Sequence, residues 1–283
     1  MKKISVITCF YEGNKYMEKL CGMIDRNKKK ISSRNIDVEF IIVNDSPWEP
    51  VQLPDDCKMG EIRIVKNVEN KGIHFSRVRG INCANGDYIV ILDQDDEITD
   101  DFLISQYSKI GDNDIIVCNG VKETYKGKKI IYKDQMKMHL VNVPLIYLKA
   151  ANQIVSPGQC MIKKDSFPDE WMHNLLKNNG SDDLFLWLIY LKKGTKFVLN
   201  SDVLYCHKQV GDNLSNDLQK MCLSDIEMCN IAKENAILPN QFIKKRIRLC
   251  RFFNETSYMK KLNLKLIFEY WDIFLIKFIA YYL

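Results

Sequence analysis

The sequence predicts an α/β protein with a mostly parallel central sheet and helices on both faces. Three observations predict this class. Short apolar runs alternate with longer segments of helical period, the runs are rich in Ile and Val, and polar residues follow directly after several of them. With 283 residues, 46% of them hydrophobic, the chain is long enough for one large domain with a smaller appendage.

The elements follow one another in an order that alternates strand and helix. Strands are predicted at residues 4–10, 38–43, 62–66, 88–92, 114–119 and 196–199, and a hairpin at residues 121–133 that turns at Lys126 and Gly127. Helices are predicted at residues 14–28, 75–85, 101–109, 182–193 and 216–235. Because ligands bind beyond the carboxyl ends of parallel strands, residues that follow the first, second and fourth strands are expected at one crevice: Tyr11, Asp45 and Asp93.

Three carboxylates crowd into the four residues that follow the fourth strand, in the stretch "VILDQDDEIT". Asp93, Asp95 and Asp96 repel one another, so a positively charged side chain, a bound metal or a solvated turn is required. An EF-hand loop is excluded because Ile98 and Ile104 stand where Gly and Glu are needed. From the residues alone, a solvated turn and a hard divalent cation both stay open.

Five motifs in order resemble the family 2 glycosyltransferases, which have a GT-A fold. They are "SVITCFYE", "VNDSP", "NKGIHFSRVRGINCANGDYIVILDQDD", "GSDDLFLWL" and "YCHKQVGDNLS". The resemblance spans about residues 3–215. It implies a GT-A catalytic domain at residues 1–238, with a nucleotide half at about 1–98 and an acceptor half at about 99–238. Residues 239–283 are expected to form a basic, amphipathic helical extension.

The resemblance also implies a role for each matching side chain. The donor nucleotide would contact Tyr11, Glu12, Asp45, Asn70, Arg77, Asp93 and Gln94. Mn²⁺ or Mg²⁺ would be held by Asp95 and His207. Asp183 would be the general base with Asp182 beside it, and Trp187 and Gln159 would lie on the acceptor side. From the residues alone, the aspartate pair could equally begin a helix, and Trp187 could be a core residue.

Four positions depart from the family pattern, and two of them affect the expected choice of base. Cys9 replaces a proline and Val78 an asparagine, whereas Glu12 and Asn44 replace residues near the nucleotide. The sequence also has no Gln-x-x-Arg-Trp motif of processive synthases. Transfer of a single sugar is therefore expected.

The end of the chain combines apolar residues at helical spacing with basic residues. The apolar positions are Leu264, Ile267, Phe268, Trp271, Phe274, Leu275, Phe278, Ile279 and Tyr282. Four charged residues in the same stretch argue against a bilayer span. Two interpretations stay open: an amphipathic helix that lies on an anionic membrane, and one that packs on the catalytic domain or on a second copy.

The sequence thus predicts a metal-dependent inverting glycosyltransferase that uses a nucleotide sugar, with a UDP-sugar favoured. The expected acceptor is a glycan or a lipid-linked oligosaccharide in the synthesis of cell-surface polysaccharide. The alternatives are a sugar-phosphate nucleotidyltransferase and a non-catalytic domain that binds nucleotide sugars. Ten scattered cysteines and a short apolar N-terminus predict a cytoplasmic protein, at the inner face of the membrane if the C-terminal segment binds there. Nucleic acid is not an expected partner, and a homo-oligomer is compatible with the sequence.

Overall fold

A computed structural model describes residues 1–55, 57, 62–208, 217–257 and 264–282. Its contacts divide the chain into two compact units. The sheet unit comprises Met1–Tyr132, Ile154–Phe167 and Phe197–Val210. The helical unit comprises Lys133–Gln153, Pro168–Lys196 and Gly211–Leu283. These boundaries differ from those predicted for the two halves and the extension, so the predicted domain division stays a prediction.

In the described residues, nine strands form one sheet. They are β1 (Lys2–Phe10), β2 (Ile36–Asn44), β3 (Ile62–Lys66), β4 (Tyr88–Ile91), β5 (Glu97–Ile98), β6 (Ile115–Thr124), β7 (Gly127–Ile130), β8 (Cys160–Lys163) and β9 (Val198–Lys208). Their order is β3-β2-β1-β4-β8-β6-β9-β5, with β7 beside β6. The predicted strands are all present, and β9 is longer than expected, because it pairs along β6 as far as Lys208.

The half of the sheet that contains β1 to β4 is parallel. β1 pairs with β2 from Lys2 opposite Ile36 to Phe10 opposite Asn44; β4 pairs in parallel with β1, and β3 pairs in parallel with β2. The carboxyl ends of β1, β2 and β4 therefore meet at one edge. β8 is antiparallel to β4 and β6, so the sheet is mixed beyond β4.

Helices cover both faces of this sheet, as predicted. α1 (Asn14–Ile31) and α3 (Phe102–Ile110) share a core with alternate residues of β1 such as Ile4 and Val6. α2 (Ile73–Cys83) packs on the other face, where a Cβ on its Gly80 would overlap the Ile7 side chain of β1. Glycine at this position allows α2 to approach the sheet closely.

The remaining helices belong to the helical unit. They are α4 (Gln135–His139), α5 (Pro144–Lys149), α6 (Asp169–His173), α7 (Asp182–Lys192), α8 (Leu218–Glu234), α9 (Asn240–Ser257), α10 (Leu264–Glu269) and α11 (Trp271–Tyr282). The predicted C-terminal helix is therefore interrupted at Tyr270. No helix within the described ranges is both long and apolar enough to cross a membrane.

The core of the helical unit contains a fully buried ion pair. Arg246 of α9 donates to Asp225 of α8 across 2.6 Å and to the Tyr147 carbonyl across 2.7 Å, and both charged residues are less than 8% exposed. Removing one partner of such a pair leaves an uncompensated buried charge, which typically costs about 3–5 kcal/mol. This pair therefore fixes α8 and α9 relative to each other.

Candidate active site

The loops that follow β1 and β4 are joined by a reciprocal pair of hydrogen bonds. The backbone amide of Tyr11 donates to Gln94 Oε1 across 3.0 Å, and Gln94 Nε2 donates to the Tyr11 carbonyl across 3.0 Å. A Cβ at Gly13 would overlap Gln94 Oε1, so glycine leaves room for the Gln94 side chain in this position. Tyr11 and Gln94, both predicted to contact the donor, thus form one edge of the sheet unit.

The side chains of Tyr11 and Glu12 meet the loop after β2 at the indole of Trp48. The rings of Tyr11 and Trp48 pack edge to face with centroids 5.8 Å apart, and Trp48 Nε1 donates to Glu12 Oε1 across 3.1 Å. Both rings are about half exposed. An open pocket beside them is lined by Pro47, Trp48, Lys66, Asn67 and Val68. Exposed aromatic rings beside an open pocket can stack on a planar base.

Asp45 lies at the end of β2, where it organises the next loop. Its two oxygens accept hydrogen bonds from Asn67 Nδ2 at 2.6 Å and from the backbone amides of Lys71 and Gly72 at 2.8 and 2.9 Å. The residue is only 5% exposed. Asp45 therefore holds the loop that leads into α2, in addition to its predicted contact with the base.

Asn70 shapes the same loop from its exposed side. Its Oδ1 accepts a hydrogen bond from the Gly72 amide at 3.0 Å, and Gly72 adopts a φ of 85° that glycine allows. This turn places the start of α2 next to Asp45. The predicted contact between Asn70 and the nucleotide would come from this turn.

Asp93, directly beyond β4, is held by two side chains from separate segments. Arg77 of α2 donates its Nη2 to Asp93 Oδ1 across 2.7 Å, and Ser156 donates its hydroxyl to Asp93 Oδ2 across 2.9 Å. Arg77 is only 4% exposed. Of the three crowded carboxylates, Asp93 is therefore neutralised by a positively charged side chain of the protein itself, the guanidinium of Arg77.

The ionised form of Asp95 is energetically unfavourable in this cluster. Burial, followed by the negative charges of Asp96 and Asp93, raises the pKa of Asp95 to about 6. The positive charge of His207 is close enough to oppose this rise. A carboxyl group that is partly buried among other carboxylates is stabilised in its ionised form by an added cation.

Asp96, next to it, is buried and positions His207. It is 1% exposed and accepts hydrogen bonds from the Tyr205 hydroxyl, from the Lys208 backbone amide at 3.0 Å and from His207 Nδ1 at 3.1 Å. Burial lowers the pKa of His207, but the hydrogen bond and charge of Asp96 outweigh it and raise that pKa above its ordinary value. Because Nδ1 faces Asp96, a metal would bind at Nε2.

The donor set around Asp95 fits a divalent cation that is shared with a substrate. Among the residues that the structure describes, no group of three or more His, Cys, Asp or Glu side chains could by itself hold a metal ion. Mg²⁺ and Mn²⁺ are commonly bound by one or two protein ligands together with substrate phosphates. The chemistry of Asp95 and His207, one carboxylate and one oriented imidazole, matches that arrangement.

Gln159, predicted to lie on the acceptor side, has a side chain that is buried beneath its own turn. It has no exposed surface, its Nε2 donates to the Cys118 carbonyl at 2.9 Å, and its Oε1 accepts from the Val155 amide at 2.7 Å. Its amide therefore supports the Ser156–Gln159 turn from within the core. The residue of this turn that reaches the carboxylate cluster is Ser156, through Asp93.

The aspartate pair of the helical unit begins α7, and its two members differ in exposure. Asp182 is 2% exposed, whereas Asp183 is only partly buried. Asn152 Nδ2 donates to Asp183 Oδ2 across 2.8 Å, and the Leu184 amide donates to Oδ1 across 2.6 Å. A negative charge is favourable at the first turn of a helix. Ser181 is the N-cap residue of α7, so the two aspartates lie in its first turn and not at the cap, and the catalytic role of Asp183 stays a prediction.

The segment just before this pair is anchored in the core of the helical unit. Ser181 donates its hydroxyl to Asp225 across 2.6 Å, and its amide donates to Ser224 Oγ across 3.0 Å. Asp225 is also the partner of Arg246. The start of α7 is thus fixed by the same buried ion pair that joins α8 and α9.

Trp187 lies in the core rather than at a surface. It is completely buried in the helical unit, so it cannot stack on a sugar from this position. Of the two predicted roles, the structure therefore supports the role of a core residue.

Four side chains that support the candidate site were not predicted from the sequence. They form hydrogen bonds with predicted residues or with one another: Asp96 with His207, Ser156 with Asp93, Asn152 with Asp183, and Tyr205 with Asp96. Asp96 and Tyr205 lie within quoted motifs, whereas Ser156 and Asn152 lie outside them, 63 and 31 residues from their partners. The predicted loop after His207 falls partly on residues 209–216, outside the described residues.

Comparisons with known proteins place the chain in one family. The sequence model of "Glycosyl transferase family 2" matches residues 5–171. EpsH of Bacillus subtilis, named as a glycosyltransferase, is 32% identical over 114 residues, which are 37% of this chain and 33% of that protein. Cholesterol galactosyltransferase of Borreliella burgdorferi is 30% identical over 121 residues, 41% of this chain and 32% of that protein. The chain thus matches about a third of the length of these curated relatives.

Solved structures with the same fold cover most of the chain. Residues 1–349 of S. aureus TarS in complex with UDP-GlcNAc superpose with a TM-score of 0.61 at 17% identity, covering 93% of this chain and 77% of that one. Mannosyltransferase PcManGT from Pyrobaculum calidifontis, in complex with GDP-Man and Mn²⁺, superposes with a TM-score of 0.55 at 14% identity, covering 87% and 69%. At these identities the likeness shows the GT-A fold.

The family match covers more than half of the chain, and the sheet with its strand-end carboxylates agrees with it. The protein belongs to glycosyl transferase family 2.

Proposed function

We propose that this chain is a metal-dependent, inverting glycosyltransferase that moves one sugar from a nucleotide-sugar donor to an acceptor hydroxyl. The observation that carries this proposal is the cluster beyond β4. There Arg77 and Ser156 hold Asp93, Asp96 orients His207, and Asp95 keeps a carboxylate that a cation would stabilise. This cluster lies where nucleotides bind in parallel α/β sheets.

The donor site that we propose is built from the loops at the carboxyl ends of β1, β2 and β4. Tyr11 would stack on the base, with Glu12 and Asp45 near it, and Asn70, Arg77, Asp93 and Gln94 would border the ribose and phosphates. A UDP-sugar is the donor that we favour. TarS with UDP-GlcNAc and PcManGT with GDP-Man support a nucleotide sugar, and the latter's Mn²⁺ supports a divalent cation.

The chemistry divides between the two groups of carboxylates. A cation held by Asp95 and His207 would neutralise the departing diphosphate as a Lewis acid. Asp183 would accept the proton of the acceptor hydroxyl, because it is the partly exposed member of its pair and its oxygens are oriented by Asn152. Attack by that single hydroxyl on the anomeric carbon inverts its configuration.

The acceptor that we propose is a glycan or a lipid-linked oligosaccharide of the cell surface. A relative named for the galactosylation of cholesterol supports an acceptor at a membrane. Such an enzyme would work in the cytoplasm, at the inner face of the membrane, where nucleotide sugars and lipid-linked acceptors meet. Family membership favours this activity over sugar-phosphate nucleotidyl transfer, and the presence of Asp95, Asp183 and His207 favours it over a non-catalytic binding domain.

Calorimetry with UDP, GDP and dTDP, each with and without Mn²⁺, tests the proposal. We expect one nucleotide to bind at least about tenfold more tightly with Mn²⁺, because a cation held by Asp95 and His207 would neutralise the charge of the diphosphate. The same nucleotide should then identify the sugar donors to assay. Absence of binding for all three under both conditions would contradict the proposed function.

Asp96→Asn tests the support of His207. The substitution keeps the shape of the side chain but removes the charge that orients the imidazole, so Mn²⁺-dependent nucleotide affinity should fall about 10–100-fold. Binding without Mn²⁺ should be unchanged. Asp100→Asn is the matched control, because it makes the same chemical change at a nearby aspartate in the sequence whose carboxylate is paired with Arg26. A wild-type Mn²⁺ response in folded Asp96→Asn protein would show that Asp96 has no such role.

A further inference from the structure

The two C-terminal helices present a row of large apolar side chains to solvent. This row, the outer stripe, consists of Leu264, Phe268, Trp271, Leu275, Phe278 and Tyr282, which are between 49% and 80% exposed. The spacing of alternately four and three residues places its members on one face within each helix. These positions belong to the apolar side that the sequence analysis expected to be covered.

The opposite side of α10 and α11 is the one that packs. Leu266, Tyr270 and Ile273 are buried against Leu249 and Phe252 of α9. Further along, Ala280 of α11 is buried against a second cluster that includes Ile146 of α5. The segment is therefore attached to the helical unit without using the outer stripe.

The charged residues of α11 are also used within the helical unit. Asp272 accepts hydrogen bonds from Arg248 Nη1 at 2.6 Å and from Lys149 Nζ at 2.5 Å. Lys277 Nζ lies over the rings of Phe253 and Phe252, at 4.4 and 5.1 Å from their centroids. No charged residue belongs to the outer stripe.

A basic face of α9 adjoins the beginning of the outer stripe on α11. Lys244, Arg248 and Arg251 follow at spacings of four and three, so they share one face of the helix. Lys244 and Arg251 are exposed, while Arg248 reaches Asp272, the neighbour of Trp271. Residues 239–283 contain nine Lys and Arg against three Asp and Glu, a net +6, whereas the rest of the chain carries −1.

We propose that the outer stripe docks this protein on an anionic membrane surface, with α10 and α11 lying in the plane of the interface. At a membrane interface, Trp and Tyr place an apolar ring among the acyl chains and a polar N–H or O–H among the headgroups, while Phe and Leu add apolar area. The basic face of α9 would attract the acidic lipids of the same surface. α11, with 12 residues, is too short to span a bilayer.

Two features favour a membrane over a second copy of the chain as the occupant. A helical seam between two copies is normally built from Leu, Ile and Val and sustained over three to four heptads. The outer stripe is instead mostly aromatic and spans only residues 264–282, with an interruption at Tyr270. Basic groups beside the stripe would also repel one another across a dimer, whereas they attract anionic lipid.

Vesicle flotation with the full chain tests the proposal, using phosphatidylcholine alone and phosphatidylcholine mixed with phosphatidylglycerol. We expect binding to the mixed vesicles that weakens with added salt, and a loss of about tenfold or more in the double variant Trp271→Asp, Phe278→Asp. Tyr125→Asp and Met136→Asp made together are the matched control. Tyr125 and Met136 are 87% and 58% exposed and do not belong to the outer stripe, so these substitutions introduce the same two charges at exposed apolar side chains and should bind like the wild type.

Tryptophan emission gives a second measurement that does not depend on flotation. Mixed vesicles should shift the emission of the wild type to shorter wavelength, and Trp271→Phe should remove most of that shift. Trp171 and Trp187 are already buried, and the exposed Trp48 belongs to the loop after β2 and not to the outer stripe, so its emission should change little. Wild-type protein that binds no mixed vesicles, or a double variant that binds as well as the wild type, would overturn the proposal. A wild-type dimer that the double variant converts to a monomer, without vesicle binding, would assign the stripe to a second copy. These measurements need neither donor nor acceptor, so their outcome is separate from that of the proposed function.

Discussion

Replacing Asp183 with Asn is expected to lower the turnover of sugar transfer by about a thousandfold while leaving nucleotide binding unchanged. An amide cannot accept the proton of the acceptor hydroxyl, so the loss should appear in the chemical step. Asn keeps the shape of the side chain: its Oδ1 can accept from the Leu184 amide, and its Nδ2 can donate to the Asn152 side-chain oxygen once that amide has turned over, so the fold should be preserved. The measurement is release of nucleoside diphosphate from the donor identified by calorimetry, with simple alkyl glycosides as acceptors.

Asp182→Asn is the matched control for this prediction. It makes the same chemical change one residue earlier, at a side chain that is only 2% exposed. Its turnover should stay within about tenfold of the wild type, and any loss should appear as a lower melting temperature. Equal losses of turnover in the two folded variants, or an active Asp183→Asn enzyme, would contradict the assignment of the base to Asp183.

Replacing Asp95 with Asn is expected to abolish the effect of Mn²⁺ on nucleotide affinity. The carboxylate is the negatively charged member of the proposed metal pair, and a neutral amide is a much weaker ligand for a hard cation. Calorimetry should therefore give the same dissociation constant with and without Mn²⁺. Glu97→Gln is the matched control, because Glu97 is a neighbouring carboxylate that is already paired with Lys19 and Lys208.

The same Asp95 variant should be more stable than the wild type in the absence of metal. Burial and two neighbouring carboxylates raise the pKa of Asp95 to about 6, above its ordinary value of 3.8. Ionised Asp95 therefore opposes folding above pH 6, and this cost is absent below its ordinary pKa. At pH 7.5 without metal, Asn should raise the melting temperature by a few degrees. A lower melting temperature, together with an intact Mn²⁺ response, would show that Asp95 serves the fold and not the metal.

The parallel half of the sheet was predictable because its strands are indicated by patterns among neighbouring residues. Continuous apolar runs and the turns between them predict β1 to β4, and the polar residue after each strand needs no tertiary contact to be found. Parallel strands then place Tyr11, Asp45 and Asp93 at the same edge by topology alone. The five motifs in order added the family, which the comparison with family 2 confirmed.

The roles of adjacent residues were harder to predict, because neighbours in sequence differ in burial. Asp95 and Asp96 are both aspartates in one turn, yet only Asp96 is enclosed, by Tyr205 and His207. Asp182 and Asp183 differ in the same way at the start of α7. Gln159 and Trp187 carry side chains that suit a ligand equally well, but each fills the core of its unit.

By itself, the sequence determined the α/β class, the parallel strands, the family and the places where carboxylates gather, because periodicity and motif order are properties of neighbouring residues. Tertiary structure alone decided which carboxylates stay accessible and which side of the C-terminal helices faces outward. Helical spacing shows that residues share a face, but both faces of α11 carry large apolar side chains. Packing of Ile273 against α9, and pairing of Asp272 with Arg248, settle which face is buried. Those contacts join residues more than twenty positions apart, so a pattern among neighbouring residues cannot predict them.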